Sequence, residues 1–253
     1  MKVSWVSNSM YVIIPARYAS TRLPGKPLVT IKGKTLIERV FDCARNSRAE
    51  RIIIATDDPR IEKAAAGFGA EVCMTSPDHT SGTERIAEVI DALRIDKDKT
   101  IVNLQGDEPL MPGTLINQVA DTLEQSSLQM ATACHPISSE AEINNPNVVK
   151  VVIDRQGRAI YFSRAAIPFI RDRQPDDGTV TGVYNRHIGI YAYRAGFLKQ
   201  YVQWPRCDLE RIESLEQLRV IWNGEQIAVC QSSVLPGPGV DTPADVTLVE
   251  ALI

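Results

Sequence analysis

Three cations, Arg17, Arg22 and Lys26, stand close together on the stretch Pro15-Ala-Arg-Tyr-Ala-Ser-Thr-Arg-Leu-Pro-Gly-Lys-Pro27. An apolar run, Val12 to Ile14, precedes them and reads as a buried strand. The strand is expected to stop at Pro15, which has no N–H for a ladder. Cations on a loop stiffened by Gly and Pro, past the carboxyl end of a first strand, suit a polyphosphate. Ligands of open α/β sheets gather in that place. The loop is neither a Walker A nor a G-x-G-x-x-G turn. On this stretch alone, a surface loop with scattered cations stays open as the plainer reading.

Acidic residues follow at a second strand end, in Val102-Asn-Leu-Gln-Gly-Asp-Glu-Pro109. Gly106 allows close backbone approach, and Asp107 and Glu108 offer the hard oxygen ligands that Mg²⁺ prefers. Residue type does not choose between the two. In Asp78-His-Thr-Ser-Gly-Thr-Glu-Arg-Ile86, Ser81, Gly82 and Thr83 open a helical pattern. Such a terminus suits an anion or a base edge, and equally an ordinary helix cap. Arg85 in the first turn opposes the helix dipole and so needs another reason to be there. Near the end of the chain, Thr242-Pro243 reads as a cap and first turn. That leaves Asp241, behind Pro236-Gly-Pro-Gly239, without a structural duty beyond a turn.

The wording of residues 15–27 resembles the signature loop of the sugar-activating nucleotidyltransferases, and closely that of the 3-deoxy-manno-octulosonate (Kdo) cytidylyltransferases. The other blocks extend the resemblance from about residue 10 to 250. It implies an enzyme that joins CTP to Kdo with Mg²⁺ as cofactor. Arg17, Lys26, Asp107 and Asp241 would then be catalytic, with Asp107 and Asp241 as metal ligands. Nucleotide contacts would come from Pro15, Ala16, Arg17, Ser20, Arg22, Lys26, Ser81, Thr83, Arg85, Gln105, Gly106 and Asp107. For the sugar, the resemblance implies Arg22, Arg85, Gln105, His187, Tyr191, Glu213 and Gln217. Arg164 is the candidate for the sugar carboxylate, which arginine pairs bidentately. Two alternatives remain: a nucleotidyltransferase with another base or acceptor, and a nucleotide-binding protein without turnover. The loop at 169–184 follows the family poorly.

The elements that must hold these residues alternate strand and helix over the first half, which predicts a parallel, doubly wound sheet. Helices are expected at 34–47, 59–68, 83–93 and 113–124. Strands are expected at 51–55, 71–74 and 100–104. The second half is richer in strands, at 130–134, 148–153, 159–162, 188–193 and 226–230, with a turn at Asp154-Arg-Gln-Gly157. One helix is expected over 208–222, which would set Glu213 and Gln217 on one face. Another starts at Pro243. The expected fold is α/β, a Rossmann-like three-layer sandwich with a mixed, mainly parallel central sheet and a smaller β-rich insertion. Residues 1–9 read as an extension and 10–253 as one domain. Within it, 10–130 form a nucleotide-binding half, and 131–253 a sugar-binding and dimerisation half.

A net charge of −3 argues against a nucleic-acid partner, whose usual footprint is a basic surface. Five cysteines without a paired spacing suit reduced thiols and a cytoplasmic protein. No apolar run approaches the length of a membrane helix. A homodimer is what the resemblance implies.

Overall fold

The computed structural model describes residues 9–171 and 182–253. Most of the expected front extension and the middle of the loop at 169–184 lie outside the described residues. The chain begins with β1 (Met10–Ala16), followed by a loop with a 3-10 turn at Lys26–Leu28. Next come the paired short strands β2 (Thr30–Ile31) and β3 (Lys34–Thr35), then α1 (Leu36–Arg45), β4 (Arg51–Thr56) and α2 (Pro59–Gly67). β5 (Glu71–Met74), α3 (Gly82–Ala92), β6 (Thr100–Asn103) and α4 (Gly113–Gln125) complete the first half. The second half carries β7 (Met130–Pro136), α5 (Glu140–Asn144), β8 (Lys150–Ile153), β9 (Ala159–Ser163), β10 (Asn185–Arg194) and α6 (Ala195–Tyr201). It closes with α7 (Asp208–Glu213), α8 (Leu218–Trp222), β11 (Ile227–Gln231) and α9 (Pro243–Leu252).

Among the described residues the main sheet has nine strands, in the order β11-β7-β10-β6-β1-β4-β5, with the hairpin β8–β9 attached through β10. β1 pairs in parallel with β4 and β6, β4 with β5, and β7 with β11. β10 runs antiparallel to both β6 and β7 and so joins the two halves. The expected mixed, mainly parallel sheet with a β-rich insertion is what the chain forms.

β1 explains the three layers. Val12 and Ile14 pack into one apolar cluster with α1, α2, α4 and α9, and Ile13 into the other with α3, α6 and α8. A strand covered on both faces must be apolar on both. β1 runs to Ala16, past its expected stop, with Pro15 opposite Ala55. Pro15 turns toward the same neighbour as Ile13, whose carbonyl accepts from Leu104 N–H. Pairing on that side ends at Ile13 and Asn103, so the missing N–H costs no ladder bond.

Local chemistry sets the helix starts. Thr35 accepts from Glu38 N–H to cap α1, and Asp58 accepts from Arg60 N–H ahead of Pro59 in α2. The sequence did not announce α5 or α6. The helix expected over 208–222 is broken: Ser214 is left-handed, at φ 52°, and Gln217 begins a separate helix. Glu213 and Gln217 therefore do not share a helix face. A buried ion pair holds the two pieces together. Arg219 donates from Nε to Glu210 Oε2 at 2.7 Å and from Nη2 to Oε1 at 2.6 Å. Both side chains are buried, and the next opposite charges stand farther off, Arg206 at 3.8 Å from Glu210 and Glu216 at 4.0 Å from Arg219, so losing either partner leaves a poorly compensated buried charge. Replacing Arg219 by leucine should cost about 3–5 kcal/mol of unfolding free energy in urea. A loss below about 1 kcal/mol, the size of an exposed pair, would contradict this account of the α7–α8 junction.

Candidate active site

The chain runs outward from β1 through β4 to β5, then returns to place β6 on the other side of β1. The sheet's order thus reverses between β1 and β6, the position where α/β folds open a crevice beyond the strand ends. A cleft of about 400 Å³ lies there. From the end of β1 and the loop after it, it is lined by Pro15, Ala16, Arg17, Ser20, Arg22 and Lys26. Ser81 and Arg85 line it from α3 and its cap, Gln105, Gly106 and Asp107 from the end of β6, and Asp241 from the last connection. Twelve residues singled out in the sequence are therefore brought together. Ala19, Thr21, Pro27, His79, Thr80 and Gly82 also line the cleft, and they sit inside the same sequence blocks.

Backbone contacts close the cleft floor. A Cβ on Gly106 would fall 2.6 Å from the carbonyl oxygen of Pro15, so only glycine lets the β6 turn pass this close to the end of β1. Val240 N–H donates to Asp107 C=O at 2.8 Å, which draws the last connection against that turn. The first loop is held from outside. Gly25 takes φ 68° against the Tyr18 ring, and the Arg60 guanidinium lies over that ring at 3.4 Å.

Lys26 stands at the centre. Its Nζ donates to Asp107 Oδ2 at 2.7 Å and to Asp241 Oδ1 at 3.1 Å. Burial pulls its pKa down, but the two carboxylates outweigh burial and hold the ammonium above its ordinary range. Arg22 also reaches Asp241 Oδ1, at 3.1 Å. Arg17 is exposed and has no protein partner among the described residues. The lining offers Arg17, Arg22, Lys26 and Arg85 against two carboxylates, an excess of positive charge suited to an anionic ligand.

Asp107 and Asp241 approach one point, marked by the Lys26 ammonium between them. Two converging carboxylates with room for a phosphate fit Mg²⁺, which is bound through one or two carboxylates plus substrate phosphates and keeps its waters. Among the described residues there is no cluster of three or more acidic, His or Cys side chains, so a fuller protein cage is not offered.

Ser81 caps α3, accepting from Glu84 N–H while Glu84 reaches back to Ser81 N–H, so its hydroxyl serves the helix as well as the cleft wall. Arg85 is buried, with Nη2 at 3.2 Å from Asp57 Oδ2 and Nη1 on Thr75 Oγ1. Thr83 faces away from the cleft and donates to Glu216 Oε2 at 3.2 Å.

The residues read as acceptor contacts lie elsewhere than this cleft, except Arg22, Arg85 and Gln105. Arg164 directs its guanidinium at backbone, with Nε on Glu213 C=O at 2.8 Å and Nη1 on Pro146 C=O at 3.0 Å. Glu213 accepts from Ser163 Oγ at 2.6 Å and from Arg164 N–H at 2.9 Å. His187 is buried, its Nε2 at 3.0 Å from Thr132 Oγ1, and burial lowers its pKa to about 3, so the ring is neutral. Tyr191 lies beside it, ring centroids 5.4 Å apart, with its phenol pushed up by burial. Gln217 is buried, and its Nε2 has no partner among the described residues. Sequence reasoning missed Glu216. This carboxylate lies beside Thr83, its pKa raised by burial, and lines a second cavity of about 340 Å³ with Arg206 and Arg211. Ser81 borders both cavities, so the two adjoin. The half-buried place of Glu216 could not be read because it sits just past the unforeseen helix break.

Glu108 was the other acidic candidate at the β6 end. Burial, then Asp107, pushes its carboxyl up to about 7. The folded protein therefore binds a proton that the unfolded chain releases near 4.5. Stability contributed by this group is full at low pH and falls as pH rises from about 4.5 to 7. In EDTA, Glu108→Gln should remove this fall and gain at most roughly 3 kcal/mol over the parent at pH 8. Equal pH slopes for the two proteins would contradict the raised carboxyl.

A family model described as Cytidylyltransferase matches residues 11–227. A solved CMP:2-keto-3-deoxy-manno-octonic acid synthetase complexed with CTP is 42% identical, with a TM-score of 0.88, over 96% of this chain and 98% of that one. Two more distant structures share the fold. One is a cytidylyltransferase from Leptospira borgpetersenii serovar Hardjo-bovis, at 16% identity and TM-score 0.61, over 96% of this chain and 85% of that one. The other is a 4-diphosphocytidyl-2C-methyl-D-erythritol synthase, at 14% identity and TM-score 0.62, over 97% and 98%. With a match to most of its length, this chain belongs to the cytidylyltransferase family, and its full-length likeness there is to a CMP-Kdo synthetase.

Proposed function

We propose that the protein transfers CMP from CTP to the anomeric hydroxyl of 3-deoxy-D-manno-octulosonate, giving CMP-Kdo and pyrophosphate. The observation that carries the choice of substrates is the full-length likeness, at 42% identity, to a CMP-Kdo synthetase complexed with CTP. The hydroxyl oxygen bonds to the α-phosphorus, with loss of its proton, as the bond to the pyrophosphate oxygen breaks. Little covalent chemistry falls to the protein, so its work is positioning and charge stabilisation.

Arg17, Arg22 and Lys26 take the triphosphate, and Lys26 and Arg17 face the charge that grows on the leaving pyrophosphate. Pro15, Ala16, Ser20, Gly106 and Gln105 shape the nucleotide's bed, with Ser81 and Arg85 on the side of the base and Thr83 behind them, on Glu216. Asp107 and Asp241 hold Mg²⁺, which when bound supplies positive charge and Lewis acidity at the phosphates. Arg164, His187, Tyr191, Glu213 and Gln217 belong to the acceptor side. Gln217 supports this role with a buried amide that lacks a protein partner among the described residues, since a sugar hydroxyl would satisfy it. Among the described residues no helix is long and apolar enough to cross a membrane. The setting we infer is a cytoplasmic homodimer serving lipopolysaccharide biosynthesis. Ile160 on β9, Ile212 on α7 and Trp222 on α8 expose apolar side chains that a second subunit would cover. Light scattering that returned a monomer mass at working concentration would contradict the dimer.

Pyrophosphate release tests the function. Release should need CTP, Kdo and Mg²⁺ together. Asp107→Ala or Asp241→Ala should abolish it while circular dichroism stays unchanged. Release with a sugar phosphate but none with Kdo would contradict the acceptor. Near-normal turnover in both aspartate variants would sink the metal assignment.

A further inference from the structure

Arg85 is a guanidinium with a side chain only 4% exposed, placed in the first turn of α3 where the helix dipole disfavours a cation. It is held by groups that follow two different strands. Asp57, just after β4, meets Nη2 at 3.2 Å. Thr75 and Ser76, just after β5, take Nη1 through the Thr75 hydroxyl and the Ser76 carbonyl, the latter at 3.4 Å. These two strand ends are themselves tied, since Thr75 N–H donates to Thr56 C=O at 2.9 Å. Asp57 is the one carboxylate in ion-pair contact with Arg85 among the described residues, although Glu88 also feels its charge. Nε of Arg85 has no protein partner among the described residues, and Arg85 lines the nucleotide cleft.

Resting on the proposed reaction, we infer that Asp57 is a positioning residue, which fixes the guanidinium of Arg85 so that its free N–H edge meets the nucleotide. Asp57 itself lies behind Arg85 and is not part of the cleft lining. Its carboxylate does two things. It compensates a buried charge that would otherwise draw water or swing toward the anions of the cleft. It also fixes the plane of the fork, because Nη2 is held on one side while Nη1 is held on the other.

The test is a double-mutant cycle on CTP binding and steady-state kinetics, using Asp57→Ala, Arg85→Met and the double variant. Asp57→Ala should weaken CTP binding and raise KM for CTP roughly 10- to 100-fold, the cost of a misplaced binding group. Asp57→Asn, which keeps an acceptor oxygen, should lose less. In the Arg85→Met background, Asp57→Ala should change CTP affinity by less than about twofold, because the group it positions is gone. A merely structural aspartate would give the same loss in both backgrounds, and that outcome overturns the inference. So does a CTP affinity in Asp57→Ala within about twofold of the parent. Should Asp57→Ala fail to fold, the same cycle is read with Asp57→Asn. Failure of the parent protein to bind CTP would contradict the proposed function itself, and the inference with it.

Discussion

Asp107 and Asp241 carry like charges to one point, and a cation between them offsets their repulsion. Lys26 is that cation. Three distant segments must therefore meet: the loop after β1, the turn after β6 and the connection before α9. Each is held by something other than the charges. Gly106 packs on the Pro15 carbonyl, Val240 hydrogen-bonds the Asp107 carbonyl, and Tyr18 is gripped between Gly25 and Arg60. Backbone contacts fix where the charges stand, and the charges then define the place that the proposed function gives to a polyphosphate and its metal.

The two halves are not separate bodies joined by a linker. β10 belongs to the second half in sequence, yet it lies between β6 and β7 and pairs with both. Tyr191 stands opposite Asn103, two residues before Gln105 of the nucleotide cleft. On the helical face, Thr83 reaches Glu216 and Arg206 reaches Thr80 at 2.9 Å. A shift in the second half therefore has direct mechanical routes to the loop that borders the cleft. This suits a reaction whose rate depends on bringing two substrates into line.

The residues that line the cleft were legible in the sequence because its parts are local. A cation loop after an apolar strand, a Gln-Gly-Asp turn and an aspartate ahead of a Thr-Pro cap each carry their meaning in a few neighbouring residues. Most strands were legible for a similar reason, since runs such as Arg51–Thr56 have no helical period. The residues expected on the acceptor side were less legible because tertiary partners decide what their side chains do. Arg164 reads as a free guanidinium, yet backbone carbonyls occupy it. Residues 208–222 have helical composition throughout, yet the chain turns at Ser214, and the Glu210–Arg219 pair closes the break. No local pattern announces a pairing across such a turn.

The most direct measurement is a crystal structure of the protein grown with CTP and Mn²⁺, with the metal located by its anomalous signal. The account predicts manganese bonded to both Asp107 and Asp241, with the triphosphate lying along residues 16–26. Manganese held away from this carboxylate pair, or CTP bound outside the cleft at the ends of β1 and β6, would contradict it.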